Sequence, residues 1–92
     1  MKYDKLFETA KIGSLTLKNR FIMGAMGVGF AEMNGNPTDR TVAYYEERAK
    51  GGYALIITEV TRVQDTEFCT PLEPSLGSDK FIPGWKKVTD AV

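Results

Sequence analysis

Two short runs of consecutive apolar residues, Phe21-Ile22-Met23 and Leu55-Ile56-Ile57, constrain this chain more than any other feature. A strand with one face in water alternates apolar and polar residues. An uninterrupted apolar run fits a strand covered on both faces, as in a parallel sheet. One helical pattern lies between the runs. Thr38 is placed to cap it, and Asp39 puts an acid in the first turn, where the macrodipole favours it. Val42, Tyr45 and Ala49 recur at helical spacing, Glu46 and Lys50 form an i,i+4 pair, and Gly51-Gly52 supplies a stop. The pattern predicts a helix over 38–50. The two strand starts lie about 33 positions apart, the length of a βαβ unit, whose strands must be parallel.

The flanks extend this unit. Leu15-Thr16-Leu17-Lys18 alternates apolar and polar, with Gly13-Ser14 before it and Lys11-Ile12 as the opposing arm. This predicts a hairpin with a glycine-first turn of type II′. Beyond the second strand, a loop carries Pro71, Pro74 and Gly77. Phe81, Trp85, Val88 and Val92 then fall at helical spacing, which predicts a second, amphipathic helix running to Val92, with Phe81 and Trp85 toward the core. Doubly buried strands need both faces and both edges covered. The chain therefore reads as the opening of a larger α/β domain, incomplete at its C-terminal end, with a self-sufficient small domain as the alternative.

Composition narrows the chemistry. The 92 residues contain no histidine and one cysteine, Cys69. No imidazole is available for a nucleophilic dyad or a metal, and a lone thiol cannot build a disulfide or a four-thiolate cluster. Twelve basic residues balance twelve acidic ones, and they interleave as in Glu46-Glu47-Arg48-Ala49-Lys50. That pattern argues against nucleic acid as a partner. No apolar run approaches the roughly 18 residues of a membrane span. The polar start, Met1 to Lys5, lacks the apolar core of a secretory leader, so a cytoplasmic protein is expected.

Candidate ligand groups gather where the strands end. Gly24, Gly27 and Gly29 follow the first apolar run, where glycine permits close backbone approach. They do not make a dinucleotide fingerprint. The third glycine is missing, and the turn cluster Asn34-Gly35-Asn36-Pro37 intervenes before the helix. Glu59 closes the second run, at the end of a parallel strand where ligands collect. From the residues alone, a solvated or salt-bridged carboxylate is the simpler reading of Glu59. Packing is likewise the simpler reading for Tyr44, Tyr45, Tyr53, Phe81 and Trp85, and inertness for Cys69.

Three stretches together resemble the N-terminus of a known family. They are Leu6-Phe7-Glu8 through Lys11-Ile12-Gly13-Ser14-Leu15-Thr16-Leu17-Lys18-Asn19-Arg20, then Tyr44 through Gly52, then Leu55-Ile56-Ile57-Thr58-Glu59. They resemble the NADH:flavin oxidoreductase family, also called the old yellow enzyme family. Met23-Gly24-Ala25-Met26 is most similar to its 2,4-dienoyl-CoA reductase branch.

The resemblance covers essentially all of residues 1–92. It implies the N-terminal portion of a TIM (β/α)₈ barrel: a hairpin plugging the bottom, Phe21 to Met26 as the first barrel strand and Ala54 to Glu59 as the second. Such a barrel typically needs about 250 residues, so the remainder would have to come from further chain. The resemblance implies FMN as cofactor, held here by Ala25, Met26, Gly27 and Val60, with Gly27 offering only its backbone. It implies NADH or NADPH as electron donor and a small unsaturated carbonyl or acyl-CoA compound as substrate. Hydride would pass through the flavin to the β-carbon of a C=C bond, with a proton added at the neighbouring carbon.

The branch also implies a 4Fe-4S cluster and FAD in later parts of a full-length protein. The proton donor and phosphate site likewise belong to later strands, so no catalytic or metal-binding residue is expected within these 92 residues and the segment alone should be inactive. Two other readings stand beside this one: a non-enzymatic α/β interaction module, and a family reductase or demethylase without an iron–sulfur cluster.

Overall fold

The computed structural model describes residues 2–64 and 72–92. A single helical turn, α1 (Asp4–Phe7), leads into β1 (Ala10–Ile12) and β2 (Leu15–Leu17). These two pair antiparallel, Ala10 opposite Leu17 and Ile12 opposite Leu15. Gly13 at the first turn position has φ +57°, while Ser14 does not enter the left-handed region. That combination gives the expected type II′ turn.

β3 (Ile22–Met23) and β4 (Leu55–Ile56) pair in parallel, Ile22 opposite Leu55 and Met23 opposite Ile56. Between them runs α2 (Asp39–Lys50). Thr38 caps it through a reciprocal pair with Thr41: each side chain accepts from the other's backbone N–H. The Gly51 N–H closes the far end on the Glu47 carbonyl, and Lys50 reaches Glu46 at 3.1 Å. The βαβ unit is therefore present as expected.

After the β4 loop, a 3₁₀ turn (Asp79–Phe81) leads into α3 (Ile82–Ala91). Pro83 sits in its first turn, where the missing N–H is harmless. Gly84 lies where α3 crosses the Asn36-Pro37 turn, since a Cβ there would stand 3.0 Å from Pro37 Cδ. Met23, Tyr45 and Val88 form the core, with Val42, Tyr44, Ile56 and Trp85 packed around it. One strand pair and two helices thus share a single apolar seam.

Three expectations need correction. Phe81 is fully buried, but from the 3₁₀ turn and not from α3. The second helix stops at Ala91, and Val92 lies past its last turn as the C-cap, 56 % exposed. The two barrel strands pair over much shorter stretches than 21–26 and 54–59, for a reason that belongs to the site. Cys69 and Pro71 lie outside the described residues.

The hairpin joins the strand pair where β3 and β4 begin. Asn19 Nδ2 donates to the Gly52 carbonyl at 2.8 Å, and its Oδ1 accepts the Phe21 N–H at 2.9 Å. One amide thereby ties the start of both strands together. The opposite end, where the strands finish, is left for the loops 24–37 and 57–62.

Candidate functional site

The strand ladder stops abruptly. The Ile57 N–H donates to the Met23 carbonyl at 3.0 Å. The next rung, two residues further on each strand, would pair the Glu59 N–H with the Ala25 carbonyl. Instead, the Glu59 N–H donates to the Tyr45 hydroxyl at 2.8 Å. The Glu59 side chain then crosses to the other strand's loop, where Oε2 accepts the Val28 N–H at 2.8 Å. This diversion is why the paired strands are short.

Glu59 is 3 % exposed, and its Oε1 is buried without a partner. The solvated or salt-bridged carboxylate expected from the sequence is therefore not what the structure contains. The group is an internal acceptor for a loop backbone. Tyr45 is also not packing alone. Its ring is buried in the core while its hydroxyl holds a strand end. Burial pushes the Tyr45 hydroxyl above its ordinary value of 10.0; the Glu59 N–H opposes that rise, and the Glu59 carboxylate and Tyr44 add to it.

Ala25, Met26, Gly27 and Val60 all lie exposed at this end of the strands. The Glu59–Val28 bond brackets them, since Val28 follows Gly27 and Glu59 precedes Val60. Among the described residues, the backbone groups of Ala25, Met26 and Gly27 make no internal hydrogen bond. A Cβ at Gly27 would meet nothing within 4 Å. The four residues thus form an open face with free backbone donors and acceptors. A cleft of about 760 Å³ lies elsewhere, beside the start of α2 among Phe30, Arg40, Leu72 and Lys87.

A second polar clamp stands behind this face. Arg62 Nε lies 3.7 Å from Glu73 Oε1, with the two side chains 3 % and 1 % exposed. Arg62 Nη2 also donates to the Asn34 carbonyl at 2.9 Å. The Arg62 N–H donates to Pro74, and the Ser75 N–H to Gly35. Gly35 has φ +99°, and a Cβ there would fall 2.4 Å from Arg62 Nη2. Trp85 of α3 closes the cluster by donating from Nε1 to the Ser75 carbonyl at 2.8 Å. The loops after β3 and β4 are therefore locked to each other and to α3. Sequence pattern did not reveal this lock, because Arg62, Glu73 and Asn34 carry no spacing signal. Among the described residues, no cluster of acidic, histidine or cysteine side chains could hold a metal ion. No helix there is long and apolar enough to cross a membrane.

The model of the NADH:flavin oxidoreductase / NADH oxidase family matches residues 5–92. The chain belongs to this family. It is 39 % identical over 90 residues to a metal reductase of Desulforamulus reducens, covering 95 % of this chain and 13 % of the relative. It is 37 % identical over 90 residues to an NADPH dehydrogenase of Listeria monocytogenes, covering 97 % of this chain and 27 % of the relative. With a cinnamate reductase of Clostridium sporogenes the identity is 35 % over 96 residues, covering 99 % and 14 %.

Two solved structures of the family superpose closely. The old yellow enzyme homologue of Zymomonas mobilis gives a TM-score of 0.86 at 32 % identity, covering 95 % of this chain and 24 % of that one. A 2-naphthoyl-CoA reductase in complex with 2-naphthoyl-CoA gives 0.91 at 32 % identity, covering 97 % and 14 %. The chain thus spans well under a third of the length of these family members. The hairpin followed by β3, α2, β4 and α3 is the N-terminal portion of their TIM barrel, as the sequence implied. The family is one of FMN-binding NAD(P)H oxidoreductases.

Proposed function

We propose that residues 1–92 are the opening of an FMN-binding barrel domain in an NAD(P)H-dependent oxidoreductase that reduces activated C=C bonds. The observation carrying this reading is the open face at the strand ends, with the unpaired backbone of Ala25, Met26 and Gly27 beside Val60. Ligands in (β/α)₈ barrels sit at that end.

FMN would supply the two-electron hydride chemistry. This chain's part is to hold the ring edge with backbone groups. Ala25 and Met26 offer carbonyls and N–H groups. Gly27 lets the ring approach its backbone, and Val60 packs at the neighbouring strand end. The proton donor and phosphate site lie outside these 92 residues.

Enoyl- or dienoyl-type carbonyl compounds and acyl-CoA thioesters are the proposed substrates. The 2-naphthoyl-CoA reductase and cinnamate reductase relatives support that class. The full-length protein would belong to the long, 2,4-dienoyl-CoA reductase-like branch, as the 14 % share of those two relatives that this chain covers suits a long chain, and 4Fe-4S and FAD would lie beyond this segment. A cytoplasmic location agrees with NAD(P)H as donor.

The test is purification of the intact polypeptide containing this chain. It should carry flavin, be brown with iron, and oxidise NADH or NADPH with a cinnamate or enoyl-CoA acceptor. A colourless protein that binds no flavin contradicts the cofactor. A yellow, iron-free protein contradicts the branch alone. Residues 1–92 by themselves should show no NADH-dependent flavin reduction.

A further inference from the structure

The strand ends part in a specific way, and two side chains cause it. The Tyr45 hydroxyl takes the Glu59 N–H that the ladder would have given to Ala25. The Glu59 carboxylate takes the Val28 N–H, one residue beyond Gly27. Both residues are buried, Tyr45 at 1 % and Glu59 at 3 % exposure. Neither is accessible to a ligand on the open face. Their effect on that face is through the backbone they hold.

We propose that Tyr45 and Glu59 act together as positioning residues of the ligand face, holding the end of β3 off the strand ladder so that the Ala25–Gly27 backbone stays free for the bound flavin. The inference rests on the flavin reading above and extends it. Without the hydroxyl of Tyr45, the Glu59 N–H is free to complete the next rung with the Ala25 carbonyl, which removes an acceptor from the face. Without an acceptor at Glu59, the Val28 N–H is left unpaired and the 25–27 loop loses its anchor.

The unpartnered Oε1 argues for this division of roles. A buried carboxyl oxygen with no partner is costly to folding. A side chain selected for stability alone would be apolar at this position. What the carboxyl provides that a leucine cannot is the acceptor for Val28.

The experiment is an FMN titration of the apo form of the intact polypeptide, followed by quenching of flavin fluorescence, with a thermal melt of each apoprotein. Glu59→Leu and Tyr45→Phe should each weaken FMN binding by about tenfold or more, the size of one lost hydrogen bond to a charged or ordered partner. Glu59→Gln keeps an amide oxygen for Val28 and should stay within about threefold of wild type. The flavin's visible band should shift in Glu59→Leu and Tyr45→Phe but not in Glu59→Gln.

Equal FMN affinity in wild type and Glu59→Leu overturns the proposal, whatever the melting temperatures do. Equal weakening in Glu59→Leu and Glu59→Gln also overturns it. If Glu59→Leu does not fold, Tyr45→Phe decides: tenfold weakening supports the proposal and unchanged affinity overturns it. A wild-type protein that binds no FMN overturns the flavin reading and this inference with it. A wild type that binds while the variants bind equally well overturns this inference alone.

Discussion

Where β3 and β4 begin, the chain is tied by Asn19 and by exposed contacts such as Arg20 to Glu8 at 3.4 Å. Where they end, the ties are the buried groups Glu59, Tyr45, Arg62 and Glu73. The two ends face different tasks. The beginning only has to join a hairpin to a strand pair, and partly hydrated polar contacts suffice. The end has to keep loop backbone in a conformation that the ladder itself would not choose. Buried polar groups are costly, yet they specify one arrangement of the loops when their partners are present.

Removal of a single group should separate the ends by energy. Arg62→Ala removes the buried cation beside the Glu73 carboxylate and the donor to the Asn34 carbonyl, and should cost about 3–5 kcal/mol in chemical denaturation. A loss below about 1 kcal/mol would break the comparison. Gly35→Ala should come next, at about 2–3 kcal/mol, because its Cβ would overlap Arg62 and Ser75 at φ +99°. Thr38→Ala, on the shared helix, should cost about 1 kcal/mol through loss of its cap.

A smaller, pH-gated effect is expected at Tyr45. Its folded-state pKa lies above the ordinary 10.0, so the stability linked to its proton is complete below pH 10. That contribution is lost as the pH rises from 10 through the raised value. Wild type should therefore lose stability above pH 10 more steeply than Tyr45→Phe in denaturation series. At the strand beginnings, Arg20→Ala should change stability by only about 0.5 kcal/mol or less, since both partners are half-exposed.

Elements with a period or a cap were legible in the sequence. The hairpin turn followed from Gly13-Ser14, and the helix from Thr38 and the Val42-Tyr45-Ala49 stripe. The parallel pairing followed from the unbroken apolar runs and the spacing between them. The four candidate ligand residues came from family resemblance, and they sit exposed in the loops that follow β3 and β4. What remained hidden was long-range polar chemistry. Nothing in the neighbourhood of Glu59 says that its partners are Val28 and the Tyr45 hydroxyl, 31 and 14 positions away. A carboxylate at a strand end looks solvated until the fold covers it. Phe81 was correctly placed in the core, but helical spacing cannot tell a 3₁₀ turn from the first turn of α3.

Amide hydrogen exchange of the intact protein, with and without FMN, tests the central claim most directly. In the apo form the Val28 and Glu59 amides should already be slow, protected by Glu59 and Tyr45, while Met26 and Gly27 exchange freely. Added FMN should slow Met26 and Gly27 and leave the hairpin turn at Gly13-Ser14 unchanged. Protection that appears instead around Phe30, Arg40 and Lys87, with residues 25–27 unaffected, would contradict it.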